Sequence, residues 1–233
     1  MPRSWSASVP DFLVTGTDTG VGKTVIAAAL VTALRATGVR AIGFKPVQTG
    51  LAADAPSDVE LLAAASPEQT ALCAPLLQLP ETLAPAVAAD RAGTMVSARD
   101  IEARIELLRR GGFSLVIEGA GGVMVPLVWG YTVLDLAERF GLEAMVVGRA
   151  GLGTLNHVAM TVAMLQARHI PIRAIVLNGR HDPPDLAEST NPSALARMVP
   201  GLAIVEVPHQ SQPTPGDVIR AVVPWLHDVI AKK

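Results

Sequence analysis

The stretch FLVTGTDTGVGKTVIAAAL, residues 12–30, limits the possible folds of this chain more than any other segment. An apolar run, a glycine-rich segment ending in Gly-Lys-Thr and an apolar helical pattern follow one another. Such a loop wraps backbone amides around phosphate oxygens at the N-terminus of the helix. The usual pattern has its first glycine where this chain has Thr17, whereas here the glycine is Gly16. Because Gly20 and Gly22 remain, we predict a phosphate loop that is one residue longer.

Five further apolar runs have the composition of the run before this loop. They are AIGF at 41, SLVIEG at 114, AMVVG at 144, IRAIVLN at 172 and AIVEV at 203. Apolar runs without alternation are typical of strands covered on both faces. We therefore predict the α/β class, with a single-domain P-loop NTPase fold and a mostly parallel central sheet flanked by helices on both faces.

Helical patterns occupy most of the intervals between these runs. The first is predicted from Gly22 to about Thr37, where Gly38 ends it. Further helices are predicted at 57–66, 97–110, 132–140, 154–168 and 216–231.

Two segments between the predicted elements are rich in Pro, Ser and Asn. HDPPDLAESTNP (181–192) and HQSQPTPG (209–216) are predicted to be loops, and both are too short to be domain linkers. We expect one domain over residues 1–233, with residues 1–10 as a flexible tail.

Composition restricts the class of partner. A net charge of −2 and a pI near 6.2 give no sign of the basic surface that nucleic-acid binding requires, which favours a small-molecule partner. No segment has the roughly 20 apolar residues of a membrane span, and residues 1–10 lack the apolar core of a signal peptide. Cys73 is the only cysteine, so no intrachain disulfide can form, and we expect it to be buried. These features predict a cytoplasmic protein that binds neither nucleic acid nor membrane.

Charged residues near the ends of predicted strands are candidates for chemistry. In the phosphate loop, Lys23 is expected to reach the terminal phosphates and Thr24 to complete a magnesium ion's coordination. Glu118 ends a buried run where nucleotide hydrolases place a magnesium-serving acid. Lys45, in GFKPVQTG, is either functional or merely solvated. Asp58, in PSDVELL, is either a metal ligand or a helix cap, and its spacing favours the cap.

The segment RAGLGTLNH, residues 149–157, places glycines before a helix predicted to begin near Thr154. Two interpretations are equally favoured by the residues alone. One is an anion site at a helix N-terminus that suits a substrate carboxylate, and the other is a plain strand-to-helix turn.

Taken together, several segments resemble the dethiobiotin synthetase family, in the family's order, from about residue 12 to 210. They are GTDTGVGKT, KPVQTG, Ser-Asp at 57, EGAGG, GLGTLNH and Leu-Asn at 177. The shifted glycine is the family's own form of the loop. The resemblance implies an ATP-dependent cyclo-ligase of biotin biosynthesis that converts 7,8-diaminononanoate and CO2 (or bicarbonate) to dethiobiotin, ADP and phosphate. The implied intermediates are a carbamate and a carbamic-phosphoric anhydride.

The resemblance also implies roles for individual residues, with ATP and Mg²⁺ as cofactors. The implied catalytic residues are Lys45, Lys23 and Thr19. The implied nucleotide-binding residues are Thr19, Gly20, Val21, Gly22, Lys23, Thr24, Asp58, Glu118, Asn178 and Pro208. The implied magnesium ligands are Thr24, Asp58 and Glu118, with Asp54 a second acid near Asp58. The implied substrate-binding residues are Lys45, Thr49, Gly121, Gly151, Leu152, Gly153 and Asn156. Residues 151–156 are implied to bind the substrate carboxylate of the neighbouring subunit, which makes the protein a homodimer.

Two alternatives belong to other functional classes. One is a nucleotide-dependent switch ATPase of the partitioning type, whose extra loop lysine would align with Asp18. A carboxylate cannot replace that cation, which argues against this alternative. The other is the ATPase domain of an amide-forming synthetase of the cobyrinate diamide type. Such chains carry a glutaminase domain with a catalytic cysteine, whereas Cys73 lies inside the predicted ATP domain.

Overall fold

The computed structural model describes residues 9–51, 56–210 and 215–231. The strands are β1 (Phe12–Gly16), β2 (Ala41–Phe44), β3 (Val47–Thr49), β4 (Leu77–Leu79), β5 (Ser114–Glu118), β6 (Pro126–Val128), β7 (Tyr131–Thr132), β8 (Glu143–Arg149), β9 (Ile172–Arg180) and β10 (Ile204–Pro208). The α-helices are α1 (Lys23–Ala36), α2 (Asp58–Ala64), α3 (Pro85–Ala92), α4 (Ala98–Arg110), α5 (Val133–Phe140), α6 (Thr154–Ala167), α7 (Leu186–Met198) and α8 (Pro215–Ala231), and a 3-10 helix spans Pro67–Cys73.

Six strands form one parallel sheet in the order β10-β9-β8-β1-β5-β2. β1 lies inside this sheet, where Phe12 is paired with Val116 of β5 and with Glu143 of β8. All six strands come from the predicted apolar runs. The prediction of an α/β fold with a parallel central sheet is therefore confirmed.

Successive residues of β1 point to opposite faces of the sheet, as the strand period of two requires. Leu13 belongs to a core on one face that includes residues of α4, α5 and α6. Phe12 and Val14 belong to a second core, which includes residues of α1 and α8. The sheet is thus covered on both sides, which is why its strands are apolar runs without alternation. The two cores make one α/β domain.

The predicted helices form close to their expected bounds. α1 begins at Lys23 after Gly22, whose φ of 93° is left-handed, and it ends at Ala36. The segment 181–192, however, was predicted wrongly as a loop, because α7 begins at Leu186. Its N-cap Asp185 accepts a hydrogen bond from the Glu188 N–H, and the Glu188 side chain accepts one from the Asp185 N–H. This reciprocal cap stabilises the helix start despite the proline within α7.

Several short elements were not predicted. β3 and β4 pair in parallel, β6 and β7 pair antiparallel, and α3 follows β4 in the chain. The predicted loop 209–216 overlaps the start of α8, and residues 211–214 lie outside the described residues, as do residues 1–8 of the predicted tail. Cys73 is fully buried, as expected. Among the described residues, no helix has the length and apolarity needed to cross a membrane.

Candidate phosphate-binding and catalytic site

The end of β1 shows why the loop needs its first glycine at position 16. A Cβ on Gly16 would lie 2.6 Å from the Asp18 carbonyl oxygen and 3.0 Å from both Lys23 Nζ and the Gly121 carbonyl oxygen. The Gly16 N–H also donates to the Gly121 carbonyl at 3.1 Å. The close approach of these groups excludes a side chain. The need for glycine at position 16, one residue before its usual place in such loops, is therefore steric.

The other end of the loop is held by β9. The Asn178 side chain donates to the Val21 carbonyl at 3.0 Å. A Cβ on Gly22 would lie 2.1 Å from Asn178 Nδ2, and Gly22 already has a φ of 93°. Only glycine satisfies both conditions, so Asn178 and Gly22 together fix the loop where α1 begins.

Asp18 pairs within its own chain. Its carboxylate accepts the Thr19 N–H at 2.7 Å and Nη2 of Arg149, at the end of β8, also at 2.7 Å. Its carbonyl oxygen accepts a hydrogen bond of 3.0 Å from Lys23 Nζ. The position that would carry the extra lysine of a switch ATPase thus holds an anion whose partner is Arg149.

Two carboxylates and a lysine meet beside the start of α1. The Thr24 hydroxyl lies 2.8 Å from Asp58 Oδ1 and 2.9 Å from Glu118 Oε1, and its one hydrogen can serve only one of them at a time. Lys45 Nζ donates to Glu118 Oε1 at 2.9 Å and also contacts Asp58 Oδ2. The side chains of β5, α2, the phosphate loop and the residue after β2 therefore converge.

Burial makes the charges of this cluster interdependent. Lys45 is 6% exposed and Glu118 is 1% exposed. Burial opposes the charge on Lys45, but Glu118 and Asp58 outweigh it and raise the pKa of Lys45. Burial also tends to raise the pKa of Asp58, but Lys45 outweighs that effect and the pKa of Asp58 is lowered. Burial raises the pKa of Glu118 and lowers that of Lys23. Lys45 is therefore charged, and it is not a solvated surface lysine.

The interpretation that spacing favoured, in which Asp58 is the cap of a helix, is wrong. The N-cap of α2 is Ser57, whose hydroxyl accepts the Glu60 N–H while the Glu60 carboxylate accepts the Ser57 N–H. Asp58 is the first helical residue, and its carboxylate is directed to Thr24 and Lys45. Gln48, a buried residue of β3 that sequence reasoning missed, accepts the Val59 N–H at 3.2 Å and so ties the start of α2 to β3.

The residues present fit a magnesium ion. Thr24, Asp58 and Glu118 offer a hydroxyl and carboxylate oxygens, the ligand type that Mg²⁺ prefers. Glu118 Oε2 is buried and has no hydrogen-bond partner among the described residues. Such an orphaned oxygen is costly unless something else satisfies it. Asp54, the second acid considered, lies outside the described residues.

A cavity of about 700 Å³ opens beside this cluster. The predicted site residues that line it are Thr19, Gly20, Gly22, Lys23, Thr24, Lys45, Thr49, Asp58, Glu118 and Gly121. Part of its lining was not predicted and comes from the segment leading into α3, including Thr82, Leu83, Ala84 and Pro85. These four residues carry no charge and follow no motif, and the only signal in the sequence was a proline suited to a helix start.

The remaining predicted residues lie outside the described lining of this cavity. Val21 is buried in the loop, with Asn178 bonded to its carbonyl. Pro208 ends β10 and is paired with Arg180 of β9. Gly151, Leu152, Gly153 and Asn156 lie in the turn before α6 and in its first turn, where Gly153 is a left-handed N-cap and no side chain caps the helix.

A glycine-rich loop between a parallel strand and a helix, with Lys23 and Thr24 at its end and Glu118 on the adjacent strand, defines a P-loop ATPase. In agreement, the AAA domain family matches residues 11–233. Solved structures share the fold at low identity. A ParA family ATPase from Chlorobium tepidum TLS has a TM-score of 0.56 at 15% identity, with 96% of this chain and 97% of that chain covered. A complex of a Cyanothece McdA variant with ATP has a TM-score of 0.54 at 14% identity, with 97% of this chain and 98% of that chain covered.

Sequence relatives are more specific. A protein of Anaeromyxobacter dehalogenans is 48% identical over 79% of this chain and 83% of its own length. One of Haloferax mediterranei is 42% identical over 93% of this chain and 91% of its own length. One of Mycobacterium tuberculosis is 43% identical over 80% of this chain and 82% of its own length. Each is named ATP-dependent dethiobiotin synthetase BioD. This chain belongs to the dethiobiotin synthetase family.

Proposed function

We propose that this protein is an ATP-dependent ligase that makes dethiobiotin from 7,8-diaminononanoate, CO2 and ATP. The observation that carries the proposal is the contact of Lys45 with both Asp58 and Glu118 beside the phosphate loop. This arrangement holds a cation where a terminal phosphate and a second anion would meet. The names of the relatives support the same reaction.

The reaction needs positioning and charge neutralisation more than a protein nucleophile. One amine of the diamine attacks CO2 and loses a proton, which gives a carbamate. A carbamate oxygen attacks the γ-phosphorus of ATP, and ADP leaves. The second amine then attacks the carbamate carbon, phosphate leaves, and loss of a proton gives the cyclic urea.

The chain's own residues suit these steps. Lys23, held at the Asp18 carbonyl, lies where it would balance charge on the transferred phosphoryl group. We assign Lys45 to the carbamate and the γ-phosphate together. Thr19 and Thr49, which line the cavity, would hold the diamine and its carbamate by their hydroxyl groups. Gly121, which also lines the cavity, would leave room for the substrate.

We assign a magnesium ion to Thr24, Asp58 and Glu118. When bound, the ion would neutralise charge on the phosphate oxygens. The orphaned Glu118 Oε2 supports this assignment.

The base of the nucleotide is assigned to the edge formed by Asn178 and Pro208. Both residues lie at the carboxyl ends of adjacent parallel strands, which is where α/β folds bind ligands. Because ATP is the phosphoryl donor, we propose the cytoplasm as the site of action, with small molecules, and neither nucleic acid nor membrane, as partners.

We further propose a homodimer in which the turn before α6 binds the carboxylate of the diamine held by the neighbouring subunit. Support comes from its glycines, its uncapped helix start and the exposure of Leu152, which is 87% exposed. Subunit mixing tests this. Lys45→Ala and Gly153→Val are expected to be inactive separately and to regain about a quarter of the activity when mixed, because half of the dimers then hold one intact site of two. No recovery in proven mixed dimers would refute the shared site.

The first experiment measures phosphate release from ATP and Mg²⁺, with and without diamine and bicarbonate, together with mass detection of the urea. We expect release that depends on both reactants and matches dethiobiotin formed. Release indifferent to the diamine, with no urea, would leave only an ATPase.

A further inference from the structure

The turn between β8 and α6 is held from behind by Asn191, a residue of α7 that no sequence motif singled out. Asn191 Nδ2 donates to the Ala150 carbonyl at 2.7 Å and to the Gly151 carbonyl at 3.0 Å. An amide NH2 group has two hydrogens, so both bonds can form at once. The residue is only 4% exposed. Removing this donor would leave the buried Ala150 carbonyl and the part-buried Gly151 carbonyl without it.

These two bonds determine where the amides of the turn point. In a trans peptide the C=O and the following N–H point in opposite directions. Because the carbonyls of Ala150 and Gly151 face Asn191, the N–H groups of Gly151 and Leu152 face away from α7. Neither N–H has an acceptor among the described residues. They therefore lie beside the unsatisfied amides of the first turn of α6.

The same turn is also tied to the phosphate loop. The Ala150 N–H donates to the Asn178 carbonyl at 3.1 Å, and the Asn178 side chain donates to Val21 in the loop. β9 thus fixes the start of the turn, while Asn191 fixes its middle. Asn191 is therefore the contact that orients the outward amides of the turn, and it does not touch the phosphate loop.

We propose that Asn191 is a positioning residue for the substrate carboxylate. It orients the N–H groups of Gly151 and Leu152 so that, with the N-terminus of α6, they form one anion-binding surface. This inference rests on the proposed function. It adds a residue from α7 that acts through the turn and does not contact the substrate.

The test combines protein variants with a change in the substrate. Asn191→Ala removes the donor, and Asn191→Asp keeps the size of the side chain while presenting oxygens to the two carbonyls. Ser193→Ala is the matched control, because Ser193 lies on the same helix and bonds only within it, to Thr190. Each protein is assayed with 7,8-diaminononanoate and with 2,3-diaminooctane, the same diamine without its carboxylate. Circular dichroism and the KM for ATP report on the fold and on the phosphate loop.

We expect both Asn191 variants to lose roughly ten- to a hundredfold in kcat/KM for 7,8-diaminononanoate, mainly through KM. The loss with 2,3-diaminooctane should stay within about twofold, because that substrate has no carboxylate to position. Ser193→Ala should behave like the unaltered protein with both diamines.

Equal losses with the two diamines, or no loss in either variant, would overturn the proposal, because a general structural role does not depend on the carboxylate. A failure of the proposed function looks different. In that case the unaltered protein forms no cyclic urea from either diamine, and the inference about Asn191 falls with it.

Discussion

At the scale of single residues, Lys45 is the side chain on which the site depends most. Its ammonium group compensates Asp58 and the almost fully buried Glu118 at once. An ion pair of this kind gives little net stability, but removing one partner leaves a buried charge unpaired. We therefore expect Lys45 to serve two purposes: it favours the charged forms of Asp58 and Glu118, and in the proposed reaction it supplies positive charge.

Lys45→Ala is expected to lower the formation of dethiobiotin by at least about a hundredfold, because charge stabilisation at the transferred group is lost. Circular dichroism should show that the fold is kept. Phosphate release and mass detection measure the effect. Turnover close to that of the unaltered protein would remove Lys45 from the mechanism.

Gly22→Ala is expected to weaken ATP binding and to lower the free energy of unfolding by at least about 2 kcal/mol, because its Cβ meets the Asn178 side chain. Gly20→Ala is the matched control. Gly20 also has a positive φ, of 69°, but a Cβ there meets nothing within 4 Å, so only about 1 kcal/mol is at stake. Denaturant unfolding and ATP titration give both quantities. Equal losses in the two variants would mean that strain, not the contact with Asn178, sets the requirement for glycine.

At the scale of elements, predictability followed the length of the apolar pattern. The six strands of the central sheet and six of the eight described helices were predicted, since each has its own apolar signal. α7 was missed because its proline and asparagine, together with the two prolines just before it, are typical of loops. The pair Asp185 and Glu188, spaced as a capping box, was the signal that could have found it. Asn191 remained hidden because its role depends on a turn some 40 residues earlier in the chain.

Asp185→Ala is expected to lower the free energy of unfolding by about 1 kcal/mol through the loss of the α7 cap. Asp185→Ser keeps a capping oxygen and should cost only a fraction of that amount. Thermal and urea unfolding of the two variants test this. If both variants lost the same stability, the carboxylate would act through its charge and not as a cap.

At the scale of the whole molecule, the same architecture serves proteins with different chemistry. The ParA family ATPase shares the fold at 15% identity, whereas the relatives above 40% identity are named as synthetases. Within this chain, Asp18 pairs with Arg149 at the position where the switch-ATPase alternative would require a lysine. The fold could be predicted from the apolar runs and the phosphate loop, and the implied magnesium ligands Thr24, Asp58 and Glu118 were found together. The part of the cavity lining that leads into α3 could not be predicted, because its contribution is shape and not chemical type.

Mg²⁺ alone is expected to change the melting temperature little, because Lys45 already compensates the two carboxylates. Mg²⁺ with ATP should raise the melting temperature, because ligand at a hundredfold excess over Kd adds about 2.7 kcal/mol to the free energy of unfolding. EDTA should remove the part of this increase that is due to the metal. In Lys45→Met the uncompensated carboxylates should let Mg²⁺ alone stabilise the protein. Differential scanning calorimetry distinguishes the cases. A large effect of Mg²⁺ alone on the unaltered protein would contradict this account of Lys45.

The inner position of β1 in the sheet has a consequence for folding during synthesis on the ribosome. Its neighbours β5 and β8 begin only at Ser114 and Glu143, so the strand that carries the phosphate loop is made long before anything can pair with it. At the usual pace of translation, that delay is on the order of ten seconds. During that time β1 and the apolar face of α1 leave the ribosome without their native cover. Chaperone contact is therefore to be sought at the N-terminal third of the nascent chain.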